Sequence, residues 1–276
     1  MHNWFVEELE MDLGRSIQIR YKNVLESVTS KFQQIDVYDT IPFGKMLVHD
    51  EVIMLTEFDE AHYHEMIVHV AMNSHPNPEN VLVVGGGDGG TLREVLKHKE
   101  VKKGHLCEID DQVVEVCKRH FPNLSCSFDD PRAELFFEDG AEFIKQRKNV
   151  YQVIIVDSSD PIGPAEVLFR EEFYKSMRDA LTDDGIIVTQ SESFMYHGDI
   201  IRNIASFSRN LFPIYHYYYT MVPTYPSGLI GFSFCSKKFD PIRDFIEDKA
   251  EALKDLKYYS KEIHQSAFKL PAFFKV

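Results

Sequence analysis

Three acidic residues stand where an enzyme of this size would keep its chemistry. Asp88 lies inside "VLVVGGGDGG" (81–90), where four apolar residues empty into a loop of five glycines. Asp157 and Asp160 close the apolar run "YQVIIVDSSD", three residues apart and just ahead of a loop bearing Pro161, Gly163 and Pro164. Gly85, Gly87 and Gly90 fit the GxGxxG pattern of a nucleotide-cradling turn, which suits dinucleotide enzymes and S-adenosyl-group enzymes equally. No lysine accompanies the loop and an acid sits within it, so a nucleoside without phosphates fits better than a nucleotide. Glu108, at the end of "GHLCEI" and about 20 residues past the glycines, is placed to accept hydrogen bonds from both ribose hydroxyls, while Asp110 suits a helix cap. In "FFEDG", Asp139 either caps the helix that follows or accepts from an adenine amine, and Gly140 lets a base approach the backbone. Asp160, before Pro161, either joins the site or shapes a turn.

Tyr63, His64 and Tyr225 flank these segments and add hydroxyl and imidazole groups. No Arg or Lys stands in the acidic motifs. Unpaired carboxylates gathered in a partly dry cleft raise one another's pKa unless cations complete the site, so the expected ligands are positively charged. The net charge of −14, from 44 acidic and 30 basic residues, agrees with this and speaks against a nucleic-acid partner. The four cysteines have neither zinc-ligand nor disulfide spacing, so no metal site is expected. The N-terminus lacks a basic stretch followed by an apolar one, and no apolar run reaches the ~18 residues of a membrane span, so the expected location is cytoplasmic, with no membrane partner.

These side chains need a scaffold. From about Arg15 to Glu57 apolar and polar residues alternate with period two, with Gly44 and Asp50-Glu51 as turn points, which predicts half-buried antiparallel strands. "FDEAHYHEMIVHVAMNSH" changes to helical spacing and "HPNPEN" breaks it, placing a boundary near residue 75: an N-terminal β-stranded domain with its connecting helix (1–75) and a catalytic domain (76–276). Beyond it, the strands "VLVV", "GHLCEI", "AELFF", "YQVIIVD" and "GIIVTQ" alternate with helices starting near Gly90, Asp111, Gly140 and Arg170. The fold class is therefore α/β, a Rossmann-like doubly wound sheet preceded by a small antiparallel β domain. "IYHYYYTMVPTYPSGLIGFSFCS" adds two antiparallel strands at the sheet edge.

The stretches "SKFQQIDVYDT", "GKMLVHDEVIMLTEFDEAHYHEM", "HPNPENVLVVGGGDGGTLREVLKH", "CEID", "EDGAEF", "VDSSDPIGPAE", "VPTYPSG" and "IHQSAFKLP" together resemble, in order and over nearly the whole chain, the spermidine synthase (polyamine aminopropyltransferase) family. The resemblance implies a methyltransferase-type fold and a homodimer or homotetramer joined through the N-terminal region. It also implies transfer of the aminopropyl group of decarboxylated S-adenosylmethionine, a co-substrate, to putrescine, giving spermidine and 5′-methylthioadenosine with no cofactor. Carried over residue by residue, Asp157 becomes the catalytic base, assisted by Tyr63. Gln33 (or Gln34 beside it), Asp88, Glu108, Asp139, Gly140 and Pro164 bind the nucleoside donor. His64, Asp88, Asp157, Ser158, Ser159, Asp160 and Tyr225 bind the polyamine. Asp88 then has a chemical reason: it pairs with the donor's ammonium and repels the carboxylate of intact S-adenosylmethionine. His64 either lines the amine region or is a packing residue, and Gln190 and Glu192 are either supporting polar groups or solvated loop. Rival readings are a putrescine N-methyltransferase, a non-catalytic polyamine or nucleoside sensor, and a NAD-dependent dehydrogenase, the last lacking a hydride-transfer acid–base pair.

Overall fold

A computed structural model describes residues 3–161 and 163–276, and of Pro164 the backbone only. Five strands, β1 (Asn3–Val6), β2 (Gln18–Thr29), β3 (Gln34–Thr40), β4 (Lys45–His49) and β5 (Val52–Thr56), form an antiparallel meander in chain order. The β4–β5 turn is made by Asp50 and Glu51 with φ of 45° and 66°, the two left-handed central residues a tight hairpin requires. β1 escapes sequence reading because four residues are too few for a period to emerge.

Helix α1 (Glu60–Met72) follows, with every residue except His62 buried. α1 packs Tyr63, Ile67 and Val70 into one core with Val81, Val83, Val153 and Ile155 of the second sheet, while its buried Glu60, His64, Glu65 and His69 take polar partners. That sheet is built from β6 (Asn80–Gly85), β7 (Lys103–Glu108), β8 (Ala133–Phe137), β9 (Tyr151–Asp157), β10 (Leu181–Gln190), β11 (Ile214–Met221) and β12 (Leu229–Ser236), in the order β8-β7-β6-β9-β10-β12-β11. The five strands from β8 to β10 are parallel and the last two antiparallel, as expected.

Crossovers supply α2 (Gly90–Leu96), α3 (Asp111–His120), α4 (Pro122–Ser125), α5 (Gly140–Lys145), α6 (Glu171–Ala180) and α7 (Gly198–Leu211), and α8 (Glu247–Ala252) and α9 (Lys261–Ser266) end the chain. α7, α8 and α9 were not anticipated from the residue pattern. A core on one sheet face joins α1 and α2, and a second joins α5, α6 and α7, so the sheet is covered on both sides. Glu65 of α1 accepts the backbone N–H groups of Lys257, Tyr258 and Tyr259 at 2.7–2.9 Å, which ties the terminal segment to the helix carrying Tyr63 and His64. None of the described helices is long and apolar enough to cross a membrane.

Candidate active site

The strand order reverses between β6 and β9, and there the sheet opens a crevice at its carboxyl end. Gly85 and Asp157 are register partners across that opening, and Gly86 donates its N–H to the Asp157 carbonyl at 2.9 Å. Gly85 has φ +80°, and a Cβ on it would lie 2.1 Å from that carbonyl oxygen, so only glycine fits. A cavity of about 620 Å³ runs from this point toward the N-terminal sheet. The sequence-predicted site residues Gln33, Tyr63, His64, Asp88, Glu108, Asp139, Gly140, Asp157, Ser158, Ser159, Asp160 and Tyr225 all line it. The part expected of Pro164 rests on a side chain outside the described residues.

At one end, Glu108 finishes β7 with its carboxylate accepting from the N–H groups of Gly87 (3.1 Å) and Asp110 (2.9 Å); burial still pushes its pKa up to about 7. Asp110 caps α3 through the Gln112 N–H, as expected. The two adjacent glutamines face different surroundings. Gln33 lines the cavity and donates its amide to Asp110 at 3.0 Å, whereas Gln34 bonds Ser27, Thr29 and Asp36 on the N-terminal sheet. Asp139 caps α5, accepting from Ala141 and Glu142, and lines the cavity as well.

The centre holds a correction. The acidic motifs contain no Arg or Lys, yet Asp88 is not uncompensated: His64 Nε2 stands 3.3 Å from it, and His64 Nδ1 2.9 Å from Glu60. Glu60 is in turn held by Arg93 at 2.8 Å. Burial alone would discharge the imidazole, but Asp88 and Glu60 outweigh it and lift its pKa to about 10. His64 is an imidazolium, not a packing residue. Burial likewise works against an ionised Asp88, yet His64 and the Gly90 N–H bring its pKa below the ordinary range. Asp157 goes the other way: burial, then the charge of Asp88, raise it, while Thr91 (2.6 Å) and Tyr63 supply opposing hydroxyls. Tyr63 and Tyr225, ring centres 6.3 Å apart, are both kept protonated, first by burial and then by the charge of Asp157.

The far end was largely missed. Asp160 faces Glu192 and Glu7, and burial followed by those two carboxylates pushes its pKa well up. Glu7, just past β1, is itself raised to about 7 by burial, although it accepts the Ile53 N–H at 3.1 Å. Glu192 is buried at φ +63°, so it is no solvated loop residue, and His197 bridges it (2.9 Å) to Glu10 (3.2 Å). Gln190 is buried too and lines the same cavity. Glu7 and Glu10 belong to an unremarkable acidic N-terminus; only their distance in the chain from Asp160 and Glu192 hid them. Tyr225 donates to the Met54 carbonyl at 2.7 Å, and its loop is pinned where Asp59 accepts from the Thr224 N–H and hydroxyl.

Comparisons with known proteins meet this geometry. Residues 60–245 match the family model of the spermine/spermidine synthase domain, and residues 3–57 that of the spermidine synthase tetramerisation domain. The chain belongs to the spermine/spermidine synthase family. A polyamine aminopropyltransferase of Leptospira biflexa is 52% identical over 275 residues, covering 100% of this chain and 98% of the relative. That of Methanocaldococcus jannaschii is 44% identical, covering 99% and 94%. Among solved structures, a spermidine synthase in complex with the transition-state analogue AdoDATO matches with a TM-score of 0.96 at 42% identity, covering 99% of this chain and 94% of that one. Spermidine synthase from Thermotoga maritima gives 0.93 at 41%, covering 99% and 93%. An enzyme of this family with a methyltransferase-like sheet is what the resemblance implied.

In this family member His64, Asp88 and Asp157 bring ligand-type atoms within 4.8 Å of one another, a spacing a metal could use. The chemistry does not suit one, because both imidazole nitrogens already serve carboxylates and an imidazolium has no lone pair to give. The central result is a pair of neighbouring carboxylates driven apart, Asp88 toward a standing anion and Asp157 toward a group that takes up a proton. A folded-state pKa near 10 against 6.5 means that His64 contributes stability in full below about pH 6.5, and that this contribution is lost as pH rises toward 10. In ¹⁵N-NMR titrations the His64 ring is expected to remain doubly protonated at pH 8. Glu60→Gln is expected to lower its midpoint by about one unit or more, since it removes one of the two charges holding the proton. A neutral ring at pH 8 in the wild-type protein would sink the ion-pair reading.

Proposed function

We propose that the enzyme transfers the aminopropyl group of decarboxylated S-adenosylmethionine to putrescine, releasing spermidine and 5′-methylthioadenosine, without a cofactor. The observation that carries this reading is the cavity's charge layout: an anionic Asp88 beside the glycine loop, a proton-accepting Asp157 at the switch point, and a second acidic group at the far end. An acidic station on each side of the base suits a cationic donor and a cationic amine acceptor, and the bound analogue in the similar spermidine synthase structure supports the same assignment.

In this mechanism Glu108 accepts from the ribose, Asp139 and Gly140 meet the adenine, and Asp88 pairs with the donor's ammonium. The intact nucleoside would bring a carboxylate against Asp88, a like-charge contact that disfavours methyl transfer from it. The attacking nitrogen of putrescine has a pKa of about 10 in water and must be deprotonated first. Asp157 takes that proton, while Tyr63 and the carbonyl of Ser158 hold the nitrogen in line. The amine lone pair forms the new C–N bond as the C–S bond breaks, and the leaving electron pair neutralises the sulfonium to a thioether. At the other end, Asp160, Glu192 and Glu7 receive the distal ammonium, with Tyr225 along the methylene chain. Burial and the nearby Glu192 and Glu7 hold the Asp160 carboxyl toward its protonated form, and the diamine's cation displaces that proton.

Trp4, Val24, Leu25 and Ile41 are exposed on the N-terminal sheet, an apolar surface suited to self-association into a dimer or tetramer. Light scattering on the purified chain is expected to give two or four times the monomer mass; a monomer would remove this part of the reading.

The decisive assay pairs putrescine with decarboxylated or intact S-adenosylmethionine and resolves products by mass. Spermidine and methylthioadenosine are expected from the decarboxylated donor alone. Asp157→Asn is expected to lower kcat about 10³-fold with nucleoside binding retained, and Asp88→Asn to narrow donor discrimination at least about 10-fold. N-methylputrescine from the intact donor would overturn the assignment, and no turnover with either would favour a sensor.

Glu192→Gln tests the acceptor end separately: the KM for putrescine should rise about 10-fold or more, with the KM for the donor unchanged. Equal effects on both substrates would place Glu192 outside the acceptor site.

A further inference from the structure

We propose that His49 is a nucleoside-binding residue, its Nε2 forming a hydrogen bond with a ribose hydroxyl of the donor. This rests on the assignment of the cavity to a nucleoside and adds a contact from the N-terminal sheet.

His49 ends β4 and pairs with Ile35 across the ladder to β3. Paired residues share a sheet face. Ile35, with Leu47 two residues before His49, packs against Val113, Val116 and Cys117 of α3. His49 therefore continues an apolar face that lies over the first turns of α3, and it lines the same cavity as Gln33, Gly87, Glu108 and Val113. Its Nε2 is buried and has no hydrogen-bond partner among the described residues. A buried, unpaired ring nitrogen is costly in a packed protein unless something else satisfies it. A cavity wall next to the ribose carboxylate is where a ligand can do so.

The ring's charge state narrows the chemistry. The carboxylates of Asp110, Asp88, Asp50 and Asp36 all act on it, Asp110 most strongly, but burial prevails and lowers its pKa to about 4. The imidazole is neutral, so Nε2 is either an N–H donor or a bare acceptor. A hydroxyl, which donates and accepts, satisfies both forms. Asp110 also anchors Gln33, which places His49 at the Glu108 end of the cavity rather than at the acceptor end.

The test is calorimetric titration of 5′-methylthioadenosine and of its 2′-deoxy and 3′-deoxy forms into the wild-type protein, His49→Leu and His49→Gln. His49→Leu should bind methylthioadenosine about 5- to 15-fold more weakly, the loss of one hydrogen bond. One deoxy form should bind both proteins equally, and His49→Gln should recover part of the loss. Leucine suits the apolar face, so the melting temperature should not fall, which separates lost binding from lost folding. Equal weakening of all three nucleosides, or none, would overturn the role of His49. If the wild-type protein binds none of them, the nucleoside assignment itself falls, and His49's role with it.

Discussion

One cation governs the centre of this enzyme: the imidazolium of His64, wedged between Asp88 and Glu60. A site that must receive two positively charged substrates needs negative charge in place beforehand, yet buried carboxylates tend to protonate one another. A single fixed positive charge beside one of them settles the conflict. Asp88 stays ionised, and its charge then raises Asp157. Without His64 the two acids would share their titration and neither would have a defined role.

The support for that cation is long. Glu60 and His64 are one turn apart on a helix buried nearly all round, and Arg93 of α2 bridges Glu60 to Glu94, which in turn meets His69 of α1. The two helices beneath the glycine loop are thus locked by alternating charges in a dry interior, where breaking one member leaves its partner uncompensated. Gly90 begins α2 directly against the His64 ring, so close that a Cβ there would lie 2.3 Å from it. Loop, helix and imidazole are built as one piece.

The acceptor end follows a different logic. Its carboxylates come from the first strand's end, from the loop after β9 and from the loop after β10, and they meet only because the N-terminal sheet lies over the carboxyl end of the second sheet. Here His197 serves Glu192 and Glu10 from one side, and among the described residues no ion pair reaches Asp160. Repulsion on Asp160 is relieved by protonation, since burial and the neighbouring carboxylates push its pKa well up. The centre is compensated by protein charge, and at the far end Asp160 is neutralised by a proton instead.

How much of this was legible beforehand depends on the range of the interaction. Asp88, Glu108, Asp139 and Asp157 could be read because each sits at or just past a strand end, where a short apolar run stops and the fold rule places ligands; local pattern suffices. Gln33 and Gln34 were indistinguishable in one dimension, since one ends the turn and the other opens β3, and which of them faces the cavity is set by what packs around each. Glu7, Glu10, Glu192 and His197 carried no local sign, because their meaning lies in contacts between segments far apart in the chain. His64 was visible as a residue and misjudged as a charge: its proton is held by two carboxylates and lost to burial otherwise, a balance that exists only when the helix is buried. The sequence by itself determined the layered architecture, the glycine turn and the acids at the strand ends, since these follow from periodicity and backbone sterics. Only the tertiary structure decided which of those acids stays charged and what lies opposite them, because charge state in a dry cavity is a property of the surroundings, not of the residue.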